Sequence, residues 1–385
     1  MTIVAVHNWY QTRGGEDRVF EAECALLEAH GHRVVRYTAD NASIARMSRL
    51  RLLKATLWNA AAYRELRLLV QRERAEVVHF HNTFPLLSAS VLRAAKMAGG
   101  RVIQTLHNFR LICPSGLMLR ADGPCELCVG RALPWPGVRY GCYRRSRAAT
   151  LLAAAAVLVG KQAACFDGVD AYIAVSEFAR KLFLRGGLRA ERLTVKPNFV
   201  ELDAGPGEGG GGYVLYLGRL SEEKGLHVLL EAWNLLRSGR ILRIAGTGPL
   251  AGWVAREIHG RNVQYCGPVS RQQALQLLRE AALLVVPSLC YEGCPLVVVE
   301  AFASGTPVVA SNLGGLAELV TPAQTGWLVP AGDPEALATV LEQALGNPVR
   351  LRAMRKMARR QYEQHYTAEA NYRMLMDIYR RAVES

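Results

Sequence analysis

Short apolar runs alternate with longer amphipathic stretches along almost the whole chain. Residues 2–7 are apolar and short enough for a buried parallel strand, and 16–30 follow with apolar positions at helical spacing (Val19, Phe20, Ala22, Leu26, Leu27) that stop at Gly31. Further strands are expected at 32–37, 76–82, 100–106, 169–175 and 193–196, and Ser176 is placed to cap a helix over 177–185. The region 43–74 reads as one basic amphipathic helical region, and 148–160 as an alanine-rich packed helix. A second series begins at Tyr213, with strands at 213–217, 241–245, 263–267, 281–287, 308–310 and 326–329. Its helices fall at 226–236, 271–281, 295–305, 334–344 and 349–365, and a last helix spans 366–383 with apolar Tyr372, Met376, Ile378 and Tyr379. Strand and helix in strict alternation predict an α/β chain built on doubly wound parallel sheets. The stretch 201–212, ELDAGPGEGGGG, reads by composition as a flexible linker, giving domains at 1–200 and 213–365 and a closing helix at 366–385.

A length of 385 residues exceeds one compact core, in agreement with two domains. The net charge of +14, from 47 basic and 33 acidic residues, asks for an anionic partner. Nucleic acid is disfavoured, because no binding module is present and the 8% aromatic content forms no stacking platform. The basic face of 43–74 suits peripheral contact with an anionic membrane. Nothing at the N-terminus resembles a signal peptide, and the charge-free run 148–160 is 13 residues, short of the ~20 that span a bilayer. The expected location is the cytoplasm, at the inner face of the plasma membrane.

The richest chemistry lies in 292–305, EGCPLVVVEAFASG, directly after an apolar strand. Pro295 is suited to the first helical position, and Gly305, followed by Pro307, to the helix end. The loop amides of Gly293 to Leu296 then form an anion site at a helix N-terminus, bracketed by Glu292 and Glu300. Carboxylates accept paired bonds from sugar and ribose hydroxyls, so a phosphate held between two sets of hydroxyls describes a nucleotide sugar. Arg219 and Lys224, in the loop GRLSEEKG, are spaced to reach a diphosphate, or else to pair with Glu222 and Glu223. The turns at Gly14-Gly15 and at Gly246-Thr247-Gly248 let backbone approach a ligand closely. His107 follows the 100–106 strand, where a reacting centre is expected, while His79 and His81 share one face and lack a third ligand for a metal. Four of the nine cysteines, Cys113, Cys125, Cys128 and Cys142, fall in one loop around a Cys-x-x-Cys knuckle, spaced for a structural zinc or left as free thiols. The other five show no ligand spacing.

The Glu292 and Glu300 signature, the Arg219 to Gly225 loop and the run TLHNFRLICP resemble the family 4 glycosyltransferases over nearly the whole chain, with the cysteine loop belonging to a subset of them. The resemblance implies two Rossmann-like domains facing a cleft (GT-B), with a last helix that returns to the first. It implies a donor site made of Gly14, Gly15, Arg219, Lys224, Gly246, Gly248, Pro268, Glu292, Gly293, Cys294, Pro295, Leu296, Val297 and Glu300. Cys294 departs from the bulky aromatic common there, which bears on how the sugar sits. Catalysis would involve His107, Glu292, Arg219 and Lys224 and no metal or cofactor. The activity implied is transfer, with retention, of a sugar from a UDP- or GDP-linked donor to a lipid-linked or polysaccharide hydroxyl. The alternatives are a nucleotide-sugar 2-epimerase of the same fold, which needs no acceptor, or a basic membrane- or polysaccharide-binding scaffold with a degenerate site.

Overall fold

In the computed structural model, which describes every residue except 122, 238 and 385, the chain forms two α/β units. One unit comprises Met1–Ala121, Cys125–Pro197 and the stretch from Asn371 onward, and the other Asn198–Ala370. The first is built on β1 (Thr2–Trp9), β2 (Arg33–Asp40), β3 (Val77–Asn82), β4 (Arg101–Leu106), β7 (Ala171–Ala174) and β8 (Leu193–Val195); β5 (Leu119–Arg120) and β6 (Gly123–Pro124) form a separate two-stranded sheet at the cysteine loop. Its sheet order, β2-β1-β3-β4-β7-β8, is parallel throughout and reverses direction between β1 and β3. The second unit contains β9 (Tyr213–Leu217), β10 (Ile241–Ala245), β11 (Val263–Gly267), β12 (Leu283–Val286), β13 (Val308–Ser311) and β14 (Gly326–Val329), in the parallel order β11-β10-β9-β12-β13-β14. Here the reversal falls between β9 and β12. Ligands of such sheets collect beyond the carboxyl ends of strands at the reversal point.

Both sheets are covered on both faces, which is why β3 and β12 are buried at every position. The terminal helix Ala368–Glu384 completes the first core, packing Leu375, Ile378, Tyr379 and Ala382 against Ile3, Leu27, Val77, Ile103 and Ile173.

Three local expectations are corrected. The single helical region at 43–74 is three pieces, a 3₁₀ segment Asn41–Arg46 and helices Arg49–Leu57 and Ala60–Glu73. Ser48 and Asn59 break it, their side chains accepting from Arg51 N and from Ala61 and Ala62 N as N-caps. Pro295 is the extended N-cap of helix Leu296–Ala303 instead of its first turn. The glycine-rich stretch at 201–212 is fastened to the second unit: the amides of Gly207, Gly209 and Gly211 donate to Ser304, Arg279 and Glu280 carbonyls at 2.9–3.0 Å. A Cβ at 207 would lie 2.2 Å from the Arg279 oxygen, so these glycines serve close backbone approach, which composition alone reads as flexibility.

Arg355 locks the same junction. Arg355 is 7% exposed, and its guanidinium donates to the carbonyls of Gly207, Arg279 and Ala281 at 2.9–3.0 Å. Arg355→Ala removes a donor from each of those acceptors, leaving Gly209 N–H as the remaining partner of the Arg279 carbonyl, and is expected to destabilise the second unit by roughly 3 kcal/mol in urea unfolding. An unchanged midpoint would show that water satisfies the three carbonyls without the side chain.

Candidate functional site

In the second unit, the loops that leave the carboxyl ends of β9, β10 and β12 are stitched together by their backbones. Gly218 N–H donates to Ala245 O, Leu220 N–H to Thr247 O, and Leu289 N–H to Glu223 O. Gly246 has φ +136°, and a Cβ there would lie 1.9 Å from Gly218 O, so only glycine lets the two loops touch. Lys224 closes a single 3₁₀ turn, Glu222–Lys224, and Gly225 (φ +72°) starts the helix Leu226–Leu235. From that turn the Lys224 ammonium reaches Glu292 Oε1 at 2.5 Å, and the same oxygen accepts from Ser288 Oγ at 2.7 Å. Lys224 therefore pairs across the sheet edge with Glu292, and not with the neighbouring acids as its primary partner. Burial would pull the Lys224 ammonium down, but Glu292 outweighs it and leaves it above its ordinary pKa. Burial would likewise push the Glu292 carboxyl up, and Lys224 outweighs that and holds it below the ordinary range. Both groups are thus charged at neutral pH.

Glu300 lies on the helix Leu296–Ala303, 4% exposed, one turn in from the Gly293–Leu296 backbone. The helix ends at Ser304, with Gly305 left-handed at φ +65°. Glu292 also fixes the next loop through its carbonyl, which accepts from Gly315 N–H at 2.8 Å. Arg219 is exposed at the end of β9, Pro268 follows β11, and Cys294 is buried, its carbonyl accepting from Asn198 Nδ2 at 2.7 Å. The structure thus gathers Arg219, Lys224, Gly246, Gly248, Glu292 and the 293–297 backbone along one sheet edge.

In the first unit, His107 directly follows β4 and is half-buried. With His81, Asn82, Phe84, Gln104 and Arg110 it lines a cavity of about 70 Å³. Gly14 N–H donates to Asp17 Oδ2 at 2.7 Å, and Asp17 Oδ1 lies 2.7 Å from His7 Nε2, so the Gly14 amide is spent internally. Gly15 begins the helix Gly15–Ala29. Beside His107, the carboxyl of Glu16 is pushed up to about 7 by burial, against the opposing hydrogen bonds of Tyr10 and Asn108.

His79 does not line the cavity. Its Nδ1 lies 2.8 Å from the Tyr379 hydroxyl and its Nε2 2.8 Å from Thr105 Oγ1, and burial lowers its pKa to about 4. The third group that the two histidines lacked in sequence is Glu23: Glu23, His79 and His81 bring three ligand atoms within 4.8 Å of one another. A metal has little claim on them, because both His79 nitrogens are engaged and the ammonium of Lys196 is already bonded to Glu23. Glu23 and Lys196 escaped the sequence reading. The one signal was an acid on the apolar face of its helix, in step with Val19, Phe20 and Leu27.

Cys113, Cys125, Cys128 and Cys142 wall one small cavity with Met118 and Tyr140, all as free thiols. Burial, reinforced by the other cysteines, pushes Cys128 up to about 11. Among the described residues only Glu23, His79 and His81 bring three such ligand atoms within 4.8 Å of one another, and the four sulfurs are not drawn together as closely.

Comparison with known proteins places the chain in a family. The model described as Glycosyltransferase Family 4 matches residues 13–204, and that described as Glycosyl transferases group 1 matches 211–347. Among curated relatives, a glycogen synthase of Mycobacterium tuberculosis is 37% identical over 153 residues, covering 38% of this chain and 37% of its own length. The amylovoran biosynthesis glycosyltransferase AmsK of Erwinia amylovora is 32% identical over 180 residues, 44% of each chain. The chain thus spans about two fifths of the length of these relatives. Two solved structures share the fold across nearly the full length: Anabaena HepE in complex with UDP (TM-score 0.69, 17% identity, 98% of this chain and 99% of that one), and sucrose-phosphate synthase of Thermosynechococcus elongatus (TM-score 0.73, 19% identity, 99% of each). None of the described helices is long and apolar enough to cross a membrane. With both units matched in sequence and this GT-B fold shared along its length, the chain belongs to the family 4 glycosyltransferases.

Proposed function

We propose that this protein transfers a hexosyl group, with retention of configuration, from a UDP- or GDP-linked sugar to a hydroxyl of a lipid-linked or polysaccharide acceptor. The observation that carries this reading is the Lys224–Glu292 pair beside the N-terminus of helix Leu296–Ala303, with Glu300 buried on that helix. A cation beside the N-terminus of a helix suits a diphosphate. Glu300 would accept from the ribose hydroxyls, and Glu292 with the loop amides of Gly293, Cys294 and Leu296 would hold the sugar. Arg219 and Lys224 would stabilise the charge growing on the departing diphosphate, a task that needs preorganised cations. That phosphate would take the acceptor's proton as the new glycosidic bond forms, and His107 would engage a hydroxyl of the sugar. Complexes of HepE with UDP-glucose support a nucleotide sugar as donor, and the AmsK likeness supports a polysaccharide acceptor.

Calorimetric titration with UDP, GDP and ADP tests the site. One nucleotide should bind at micromolar concentration, and Glu300→Ala should weaken it at least tenfold. Lys224→Ala should cut turnover by about a hundredfold with the fold retained. Binding of none of the three, or full activity in both variants, would overturn the assignment.

The work is proposed to take place in the cytoplasm against the inner membrane face. Leu50 and Leu53, 60% and 41% exposed, stand among exposed Arg49, Arg51 and Lys54 on helix Arg49–Leu57. Sedimentation with phosphatidylserine vesicles should exceed that with phosphatidylcholine. Changing Arg49, Arg51 and Lys54 together to Glu should reduce it on the order of a hundredfold, at ~1 kcal/mol per charge. Equal sedimentation with both lipids would remove the membrane from the proposal.

The four thiols are further proposed to draw in around one zinc at the ~2.3 Å typical of thiolate sites, ordering the loop without touching the reaction. Elemental analysis should find one zinc per chain, lost in Cys125→Ser/Cys128→Ser while nucleotide binding persists. Zinc-free protein with an ordered loop would assign the cluster to packing.

A further inference from the structure

Behind His107 runs a line of buried polar groups to which sugar transfer assigns no task. Lys196, just past β8, ion-pairs with Glu23 Oε1, and both side chains are 1% exposed. The other carboxylate oxygen, Oε2, makes no hydrogen bond of its own and lies 3.4 Å from His81 Nε2. His81 Nδ1 lies 3.0 Å from His107 Nε2. A carboxylate paired with an ammonium can only accept, so the ring nitrogen that faces it carries the proton. Burial, with the neighbouring histidines, holds His81 well below its ordinary pKa, so the ring is neutral and its Nδ1 is a lone pair. His107 is neutral for the same first cause, and its Nε2 must then be the donor to His81.

We infer that the Lys196–Glu23 pair, acting through His81, sets His107 as the Nε2–H tautomer, so that His107 Nδ1 offers a lone pair to a hydroxyl of the bound sugar. Glu23, Lys196 and His81 are positioning residues in this scheme. It rests on the reading of His107 as the group beside the sugar. It adds that His107 accepts a hydrogen bond there and has no ring proton to give on that side. The arrangement is the outer-partner logic by which the bond at one imidazole nitrogen decides the state of the other.

The substitution Glu23→Gln reverses the relay without changing its shape. Lys196 has only donors, so the amide oxygen turns to it and the NH₂ turns to His81 Nε2. That nitrogen must then accept, His81 carries its proton on Nδ1, and His107 is driven to the Nδ1–H form. Selective ¹⁵N-histidine labelling and long-range ¹H–¹⁵N spectra of the full chain distinguish the two states directly. The wild type should show Nε2–H at both His81 and His107, and E23Q should show Nδ1–H at both. Turnover with the sugar nucleotide whose base binds should fall roughly ten- to a hundredfold in E23Q, the usual cost of losing such a partner, with KM less affected. A wild-type spectrum with His107 as Nδ1–H overturns the inference whether or not E23Q folds, as does a folded E23Q with unchanged tautomers. Should His107→Ala keep full turnover while both spectra come out as expected, the relay stands and the substrate role of His107 fails.

Discussion

An all-parallel sheet buried on both faces has little room for unpaired polar side chains away from the ends of its strands, and this constraint governs both units. The strand interiors here are mostly apolar, the buried polar groups that the first sheet does carry, such as His79 and Thr105, are bonded to one another, and the helices that cover the sheets leave the carboxyl edge as the place where backbone amides, charges and glycine turns can meet. In the second unit that edge gathers Lys224, Glu292 and the open end of helix Leu296–Ala303. In the first it gathers His107, Glu16 and Asn108. The chemistry sits where the packing permits it.

The two units treat buried charge differently. In the second, Lys224 and Glu292 are partly open, and each keeps the other ionised against burial, beside the N-terminus of helix Leu296–Ala303. In the first, Lys196 and Glu23 are sealed within the core, where an ion pair adds little net stability but an unpaired member would be very costly. A sealed pair is therefore better understood by what it orients. Its free oxygen faces His81, and His81 faces His107. The aromatic ring of Phe20 and the hydroxyl of Tyr379 close the remaining sides, so the line of polar groups has few alternative arrangements.

Glycine carries a second lesson. At 246 it permits two loops to touch, and its place in a Gly-Thr-Gly-Pro turn after a strand made that use legible. At 207–211 a similar density of glycine looked like a tether, yet the amides of Gly207, Gly209 and Gly211 each find a carbonyl on the second unit and Arg355 bonds the chain in place. Composition is the same in both cases, and the difference lies in what stands opposite.

The α/β class, most strand positions and the glycine-bearing loops at the carboxyl edge of the second sheet were readable from the sequence, because apolar period, glycine turns and helix caps are local and recur at fixed spacing. Glu292, Glu300, Arg219 and Lys224 stood out for the same reason, each in a short motif whose residues act on neighbours in the chain. Tertiary structure alone decided which charges meet. Lys224 pairs with Glu292 across 68 residues, Lys196 with Glu23 across 173, and His79 with Tyr379 across 300. Such contacts depend on which strands lie side by side, and a periodic pattern in one dimension carries no record of that order. The same holds for the break at Asn59, where one side chain capping a helix outweighed an apolar spacing that continued unbroken on either side.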